Sequence, residues 1–217
     1  MSCKPGIVLV GGGGHCKVVI SILKDIDLFS IKGISDIPQN MGKIILGFEI
    51  KWNDDELEVI FENGIKNCLI TLGSIGNPIK RIELFERVKI IGFNLPYIIS
   101  NRAVLSNCVK VGEGTVIMPG VIIKSGVKIG KNCIINTGSI IEHDCIIGDH
   151  VHIAPGVTLN NDVKIMDRSH VGTGSTIIQN IIIERDIVIG AGSLVINDLY
   201  EKGTYVGVPC NKLDDGV

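Results

Sequence analysis

Aliphatic residues recur at every sixth position through the second half of the chain. From Ile99 to Val195, each step of six residues reaches Ile, Leu or Val, and no insertion breaks the series. The seventeen positions are Ile99, Leu105, Val111, Ile117, Ile123, Ile129, Ile135, Ile141, Ile147, Ile153, Leu159, Ile165, Val171, Ile177, Ile183, Ile189 and Val195. Because no helical period is present in this region, the repeat predicts short strands stacked in a solenoid.

Corner residues accompany this repeat. Three positions after most of the aliphatic residues the chain has Gly, Asn or Asp, which adopt a left-handed backbone more easily than other residues. These positions are Gly114, Gly120, Gly126, Asn132, Gly138, Asp144, Gly156, Asp162, Gly174, Asn180, Asp186, Gly192 and Asp198. A short strand and a sharp corner every six residues describe a triangular β-helix, with three hexads in each coil and the aliphatic side chains inside.

The first part of the chain has the alternating pattern of an α/β domain. Apolar runs predict buried strands at residues 7–10, 31–36 and 68–72, and helix-spaced aliphatic residues predict helices at 17–28, 52–63 and 77–88. Strands that alternate with helices form a parallel sheet. We therefore predict a Rossmann-like α/β domain over residues 1–95 and an all-β parallel β-helix of hexapeptide repeats over residues 96–217.

The composition argues against several classes of partner. Lys and Arg total 21 against 23 Asp and Glu, so a net charge of -2 gives no attraction for nucleic acid. No apolar run of about 18 residues predicts a membrane span, and no signal-peptide pattern precedes the first strand. Seven cysteines, an odd number without a CxxC pair, favour reduced thiols in the cytoplasm.

The hexad pattern resembles that of the hexapeptide-repeat acyltransferases. Together with the glycine-rich turn before His15, it is similar to one subgroup, the sugar N- and O-acyltransferases of the bacillosamine, perosamine and sialic acid pathways. The resemblance covers nearly the whole chain. It implies a left-handed β-helix, acetyl-CoA as a co-substrate with no permanently bound cofactor, and a homotrimer with each active site between neighbouring copies.

His143 is the candidate general base. It lies two positions after an inward aliphatic residue, so its imidazole is expected to project outward at a corner, and histidine is the usual base near neutral pH. Asp144 follows directly; it is suited to orient the ring, and equally to form the turn. The resemblance implies this pair as base and partner, with Asp in place of the usual Glu. It also implies that His152, on the next face, contacts the thioester or the acceptor, whereas His150 and His170 are expected to be surface histidines.

A run of four glycines, Gly11 to Gly14, follows the first strand and opens a helix. Its bare amides and the helix N-terminus are suited to hold a diphosphate. The GxGxxG spacing is missing, which disfavours a dinucleotide oxidoreductase. Asp36 would contact a ribose hydroxyl or a base edge, or is a plain loop acid. The resemblance implies that Gly73 lies beside the nucleotide. The candidate substrate-binding residues are Gly12, Gly13, Gly14, His15, Asp36 and Gly73.

The resemblance places the pantetheine arm of CoA along the outside of the later coils. It implies contacts with His152, Thr173, Ala191 and Gly192, although Thr173 and Ala191 are equally suited to be ordinary corner residues. The segment 203–209 is similar to the family's terminal strand and Val-Pro turn, which flank the adenine end.

These features predict an acetyl-CoA-dependent N-acetyltransferase. The acceptor would be the amino group of a nucleotide-activated amino-dideoxy sugar, with a UDP-4-amino sugar favoured, and no metal is required. The alternatives are O-acetylation of sialic acid or another sugar hydroxyl, a zinc-dependent carbonic anhydrase, and a nucleotide-binding β-helix scaffold. The zinc alternative lacks a convincing third histidine, and the motif from Glu142 to Asp144 disfavours the scaffold.

Overall fold

The computed structural model describes residues 4–213. The chain divides into two compact units, Met1–Ile98 and Ile99–Val217. Cys3, one of the cysteines expected to be a reduced thiol, lies outside the described residues. The six cysteines within them form no disulfide.

The first unit is an α/β domain built on a five-stranded sheet. Its strands are β1 (Gly6–Val10), β2 (Ser30–Asp36), β3 (Ile44–Ile45), β4 (Phe48–Asn53) and β5 (Asn67–Ile70). Its helices are α1 (Gly14–Ile26), α2 (Leu57–Glu62) and α3 (Ile79–Ile91), with 3-10 turns at Pro38–Asn40 and Asp54–Glu56. The strand order is β3-β4-β2-β1-β5, and the pairs are parallel except for the antiparallel β3–β4 hairpin.

The helix predicted at residues 52–63 is wrong over its first part. The chain forms β4 there, and α2 begins only at Leu57. Apolar and polar residues alternate along β4, which is the two-residue period of a strand. The helical segment starts after Asn53, whose side chain accepts a hydrogen bond from the backbone N–H of Asp55.

Buried hydrogen bonds hold the end of β5 against the turn that follows β1. The Thr71 hydroxyl donates to the carbonyl oxygen of Gly11 at 2.6 Å. Arg81 of α3 is almost completely buried and donates to the carbonyl oxygens of Ile70 and Leu72, both at 2.7 Å. Because buried carbonyl groups are costly without a partner, these bonds fix the loop after β5 beside the glycine-rich turn.

The second unit is a parallel β-helix with three faces. Face 1 contains Ile98–Ile99, Val116–Ile117, Ile134–Ile135, His152–Ile153, His170–Val171, Ile187–Ile189, Gly203–Gly207 and Cys210–Lys212. Face 2 contains Val104–Leu105, Ile122–Ile123, Ile140–Ile141, Thr158–Leu159, Thr176–Ile177 and Leu194–Val195. Face 3 contains Lys110–Val111, Lys128–Ile129, Ile146–Ile147, Lys164–Ile165 and Ile182–Ile183.

The strands of the β-helix pair in parallel with the strand one coil later, except that Gly203–Gly207 and Cys210–Lys212 form an antiparallel pair. Ile122 aligns with Ile140, 18 residues further on, so one coil contains three hexads as predicted. The aliphatic series points inward: Ile123, Ile141 and Leu159 are at most 1% exposed. Each such side chain contributes roughly 1.5–3 kcal/mol when it is fully buried, which gives a physical reason for an aliphatic residue at every position of the series.

Three corners join the faces, the first from face 1 to face 2, the second from face 2 to face 3 and the third from face 3 to face 1. Most of the predicted corner residues have a positive φ, such as Asp144 with φ 60 and Gly192 with φ 68. His150 and Arg168 also adopt it, at φ 60 and 61; histidine is among the residue types enriched there, whereas arginine is not. Asp198 does not, because the chain leaves the repeat after face 2.

Small polar residues beneath the corners bond one coil to the next. At five of the positions that lie four residues after an inward aliphatic residue, a buried hydroxyl or thiol donates to the carbonyl oxygen 15 residues later, at 2.8–3.1 Å. These donors are Thr115, Cys133, Cys145, Ser169 and Ser175. They satisfy corner carbonyl groups that the strand ladders leave unpaired.

Candidate functional site

His143 and Asp144 form a hydrogen-bonded pair on the second corner of the β-helix. Nδ1 of His143 lies 2.9 Å from Oδ2 of Asp144, and their side chains are 53% and 60% exposed. A carboxylate oxygen only accepts hydrogen bonds, so Nδ1 carries the hydrogen in this contact. In the neutral ring Nε2 is then left to accept a proton, which is what a general base requires.

Asp144 serves as a corner residue and as the partner of His143 at the same time. Its backbone is left-handed, with φ 60, and its N–H donates to the carbonyl oxygen of Ser125 at 2.9 Å. This leaves the carboxylate directed to the preceding residue. The Asp side chain is therefore long enough for the contact, and the two interpretations of this position are compatible.

His152 lies on face 1, which is opposite the second corner and not the next face after His143. The two histidines are nine positions apart, which is half of an 18-residue coil. His152 is 6% exposed, and its Nε2 lies 3.3 Å from the amide nitrogen of Asn136. It is thus not a solvated surface histidine.

The prediction that His170 is a surface histidine is wrong, because His170 is buried and packs against His152. The two residues are paired in register on face 1, and their rings meet edge-to-face with centroids 4.9 Å apart. Burial lowers the pKa of His170, and within residues 4–213 its Nδ1 has no hydrogen-bond partner. The spacing of one coil between the two histidines is the sequence signal that could have linked them.

The residues assigned to CoA gather along the first corner. His152 is in the strand that leads into this corner, and Thr173 and Ala191 occupy it in successive coils, where both are exposed. A Cβ atom added at Gly192 would meet no atom within 4 Å. This corner therefore has an open edge along the axis of the β-helix, on a different side from His143.

The four glycines of the turn after β1 fall into two pairs. A Cβ atom at Gly11 would lie 2.8 Å from the backbone nitrogen of Leu72, and one at Gly12 would lie 2.7 Å from Ile50. At Gly13 and Gly14 it would meet nothing within 4 Å. The first pair is thus required by packing, whereas the second leaves bare amides open to a ligand at the start of α1.

Asp36 holds the turn in place. Its Oδ2 accepts the N–H of Gly12 and its Oδ1 accepts the N–H of Ile37, both at 2.6 Å. A cavity of about 320 Å³ opens beside the turn, and its lining includes Gly12, Gly13, Asp36, Asn40, Asp54 and Lys80. His15 and Gly73 are neighbours in the same unit, since a Cβ atom on Gly73 would lie 4.0 Å from that of His15.

Asp54 was not identified from the sequence, yet it lines this cavity. The sequence predicted a helix at residues 52–63, which would put Asp54 inside a helix. In the structure Asp54 follows the carboxyl end of β4, next to the carboxyl ends of the neighbouring parallel strands, where ligands of such sheets bind. Its Oδ1 accepts a hydrogen bond from the Ser35 hydroxyl at 2.7 Å. Burial is the main cause that raises the pKa of its carboxyl group.

Within residues 4–213, no three His, Cys, Asp or Glu side chains are arranged to hold a metal ion. Over the same range, none of the helices has the length and apolar character needed to cross a membrane. His143, His150 and His152 occupy the second corner, the third corner and face 1 of one coil, so they do not converge within a chain.

Two family models match the chain. The model described as bacterial transferase hexapeptide (six repeats) matches residues 108–143 and 126–161, and the PglD N-terminal domain matches residues 6–88. Comparison with curated protein sequences gave no match.

Solved structures cover almost the whole chain. PerB from Caulobacter crescentus, in complex with CoA and GDP-perosamine, is 32% identical with a TM-score of 0.91, over 98% of this chain and 99% of that one. The acetyltransferase domain of PglB from Neisseria gonorrhoeae FA1090 is 26% identical with a TM-score of 0.88, over 97% and 100%. WeeI from Acinetobacter baumannii AYE is 26% identical with a TM-score of 0.85, over 97% of this chain and 100% of that one. The chain belongs to the hexapeptide-repeat sugar acetyltransferases.

Membership of the hexapeptide-repeat sugar acetyltransferases confirms several predictions. The α/β domain followed by a left-handed β-helix is the fold of these relatives, and the enzyme class is acyltransferase. The PerB and PglB structures contain CoA and acetyl-CoA, which agrees with acetyl-CoA as a co-substrate. Perosamine N-acetyltransferase was also solved with its histidine replaced at one position by asparagine and by alanine.

Proposed function

We propose that this chain transfers the acetyl group of acetyl-CoA to the amino group of a nucleotide-activated amino sugar. The observation that carries the proposal is the His143–Asp144 pair, which presents an oriented, accessible imidazole at a corner of an acetyltransferase β-helix. PerB, which shares 32% of its residues with this chain, binds CoA and GDP-perosamine, an acceptor of this class. These points favour N-acetylation over O-acetylation of a sugar hydroxyl and over a non-enzymatic scaffold.

The reaction requires only one proton carrier. The sugar amine attacks the carbonyl carbon of the thioester, and Nε2 of His143 takes the proton that the nitrogen must lose. The Asp144 carboxylate stabilises the imidazolium that forms, because it already accepts the Nδ1 hydrogen. When the tetrahedral intermediate collapses, the C–S bond breaks, the amide forms, and the imidazolium returns the proton to the CoA sulfur.

The nucleotide would bind to the first unit. The open amides of Gly13 and Gly14 at the N-terminus of α1 supply donors and a partial positive charge for a diphosphate. The cavity beside them, at about 320 Å³, falls within the size range of small-ligand pockets. His15, Asp36 and Gly73 surround the same turn. The β-helix would bind CoA along the first corner, at His152, Thr173, Ala191 and Gly192.

We further propose a homotrimer. His143 and His152 lie on opposite sides of one coil, so they reach a common thioester only if they come from two neighbouring copies. The outward residues of face 2 are mostly apolar or threonine, whereas face 3 carries lysines, so face 2 is better suited to association. These outward residues are Val104, Ile122, Ile140, Thr158, Thr176 and Leu194 on face 2, and Lys110, Lys128, Ile146, Lys164 and Ile182 on face 3.

The cytoplasm is the proposed location. Acetyl-CoA and nucleotide sugars are both expected there, and the absence of a disulfide among the six cysteines of residues 4–213 fits a reducing compartment. Nucleic acid and membrane are not proposed as partners.

The decisive experiment is an assay of thiol release from acetyl-CoA with UDP-, GDP-, dTDP- and CMP-linked amino sugars. We expect release only with an amino-sugar acceptor, and loss of roughly two orders of magnitude in turnover for His143→Ala. The fold should survive, since the side chain is exposed. The proposal is wrong if no amino sugar stimulates release, or if a folded His143→Ala variant keeps near wild-type turnover.

A further inference from the structure

Asp54 brings a carboxylate with one unused oxygen to the cavity beside the glycine-rich turn. Its Oδ1 accepts the Ser35 hydroxyl at 2.7 Å, and among residues 4–213 no donor reaches Oδ2. The side chain is half-buried, and this loss of hydration raises the pKa of the carboxyl group. A ligand that supplied N–H donors would restore the hydrogen bonds that burial removes.

The other charged groups of the cavity are already occupied. Asp36 accepts backbone amides at both of its oxygens. Lys80 lies 3.3 Å from the Glu83 carboxylate, and it makes no direct contact with Asp54 among the ion pairs of the described residues. Asp54 is thus the carboxylate that the fold leaves available to a ligand.

The topology places Asp54 where the base of a nucleotide would lie. β1, β2 and β4 are adjacent and parallel in the sheet. The open glycines follow the carboxyl end of β1, Asp36 ends β2, and Asp54 follows β4. A nucleotide with its diphosphate at Gly13 and Gly14 extends across these ends, so the ribose passes Asp36 and the base reaches Asp54.

We propose that Asp54 selects guanine, so that the acceptor is a GDP-linked amino sugar; this rests on the proposed function and names its substrate class. A carboxylate only accepts hydrogen bonds, and guanine offers it two adjacent donors, N1–H and the N2 amino group. Uracil and thymine present a single N–H between two carbonyl oxygens, which the carboxylate repels. Cytosine offers one amino group next to an acceptor. The UDP preference expected from the sequence is therefore replaced by a preference for GDP.

The test is calorimetric titration of the full chain with GDP, UDP, CDP, dTDP and xanthosine diphosphate. The wild type should bind GDP most tightly. Asp54→Asn should weaken GDP binding about 10- to 100-fold, because the new amide group meets the N2 amino group donor to donor. The same variant should gain affinity for xanthosine diphosphate, whose base has a carbonyl oxygen at that position. Asp55→Asn is the matched control: it makes the same chemical change in the next residue, which is 89% exposed, and should leave GDP binding unchanged.

Three outcomes would overturn the inference. If UDP binds the wild type more tightly than GDP, the base is not guanine, while acetyl transfer to a UDP-linked sugar would keep the proposed function intact. Equal weakening of all the diphosphates by Asp54→Asn means that Asp54 contacts the ribose. Failure of every diphosphate to bind a wild-type chain that is folded by circular dichroism would remove the nucleotide site itself, and with it both proposals.

Discussion

At the scale of single residues, Asp144 shows how one side chain meets two demands. A left-handed corner costs most L-residues about 1–2 kcal/mol, and Asp is one of the types that tolerate it well. The same backbone directs its carboxylate to the ring of His143, 2.9 Å away. The pair is exposed, so it adds little to stability. The contact fixes which ring nitrogen of His143 is held by Asp144, so that Nε2 is the one left open.

Asp144→Asn tests that role. The variant keeps a residue that tolerates the corner but replaces the charged acceptor, so we expect kcat to fall about tenfold or more with little change in the melting temperature. Asp162→Asn is the matched control, since Asp162 occupies the same corner one coil later with φ 59. Steady-state kinetics of the two variants decide. Unchanged turnover at residue 144 would leave Asp144 as a turn residue only.

At the scale of elements, the glycine-rich turn contains two kinds of glycine, those confined by packing and those open to solvent. Gly11 and Gly12 have no room for a side chain, whereas Gly13 and Gly14 face open space. The turn is fixed from two sides, by Asp36 and by Thr71. A rigid backbone with bare amides is what preorganised binding of a phosphate group requires.

Gly13→Leu should therefore affect the acceptor and spare acetyl-CoA. The backbone at Gly13 has φ -84, which any residue adopts, so the fold should tolerate the change. We expect the KM for the nucleotide sugar to rise at least about tenfold, because the side chain occupies the space beside the amides. Two titrations are needed, each varying one substrate. A selective rise in the KM for acetyl-CoA would contradict the assignment of the two ligands to the two units.

The third corner of the β-helix carries an ion pair, between Arg168 and Asp186, whose contribution to the free energy of unfolding depends on pH. Nε and Nη2 of Arg168 donate to Oδ1 and Oδ2 of Asp186, both at 2.7 Å, and this contact lowers the pKa of Asp186. A lowered pKa in the folded state gives stability that is present above the ordinary Asp value, about 3.9, and is lost as the pH falls through the folded value.

Asp186→Asn should accordingly destabilise the protein by about 0.5–1 kcal/mol at neutral pH, a range suited to a pair that is about one-third exposed. The difference from wild type should shrink steadily below about pH 4 and disappear once the wild-type carboxylate is protonated. Urea unfolding of both proteins at a series of pH values measures this difference in the free energy of unfolding. A difference that stays constant down to pH 2 would show that the charge of Asp186 has no part in it.

At the scale of the whole molecule, the two candidate histidines of one chain are separated by the β-helix itself. An 18-residue coil places His143 on a corner and His152 on the face opposite. In the proposed homotrimer a complete site would form only between neighbouring copies, and a complementation test can check this arrangement.

His143→Ala and His152→Ala variants should each be impaired alone, and mixed oligomers should regain activity. When the two are co-expressed, some sites combine the intact His143 of one copy with the intact His152 of another. Sedimentation velocity should give the mass of a trimer for the wild type. The composite site would be refuted if mixed oligomers form, as verified by two different tags, and activity stays at the level of the separate variants.

The sequence alone determined the β-helix, because its information is local and repeated. A coil needs one inward aliphatic residue and one corner in every six positions, so the period specified the faces and put His143 on a corner. In the first unit the outcome depended on segments distant along the chain: the carboxylate of Asp36 meets Gly12, 24 residues away, and Asp54 meets Ser35, 19 residues away. No local period encodes such approaches, which are decided by how the strands pack. The alternation along β4 and the one-coil spacing of His152 and His170 are present in the sequence. Only the tertiary structure could reveal the contact of Asp36 with Gly12 and the unused oxygen of Asp54.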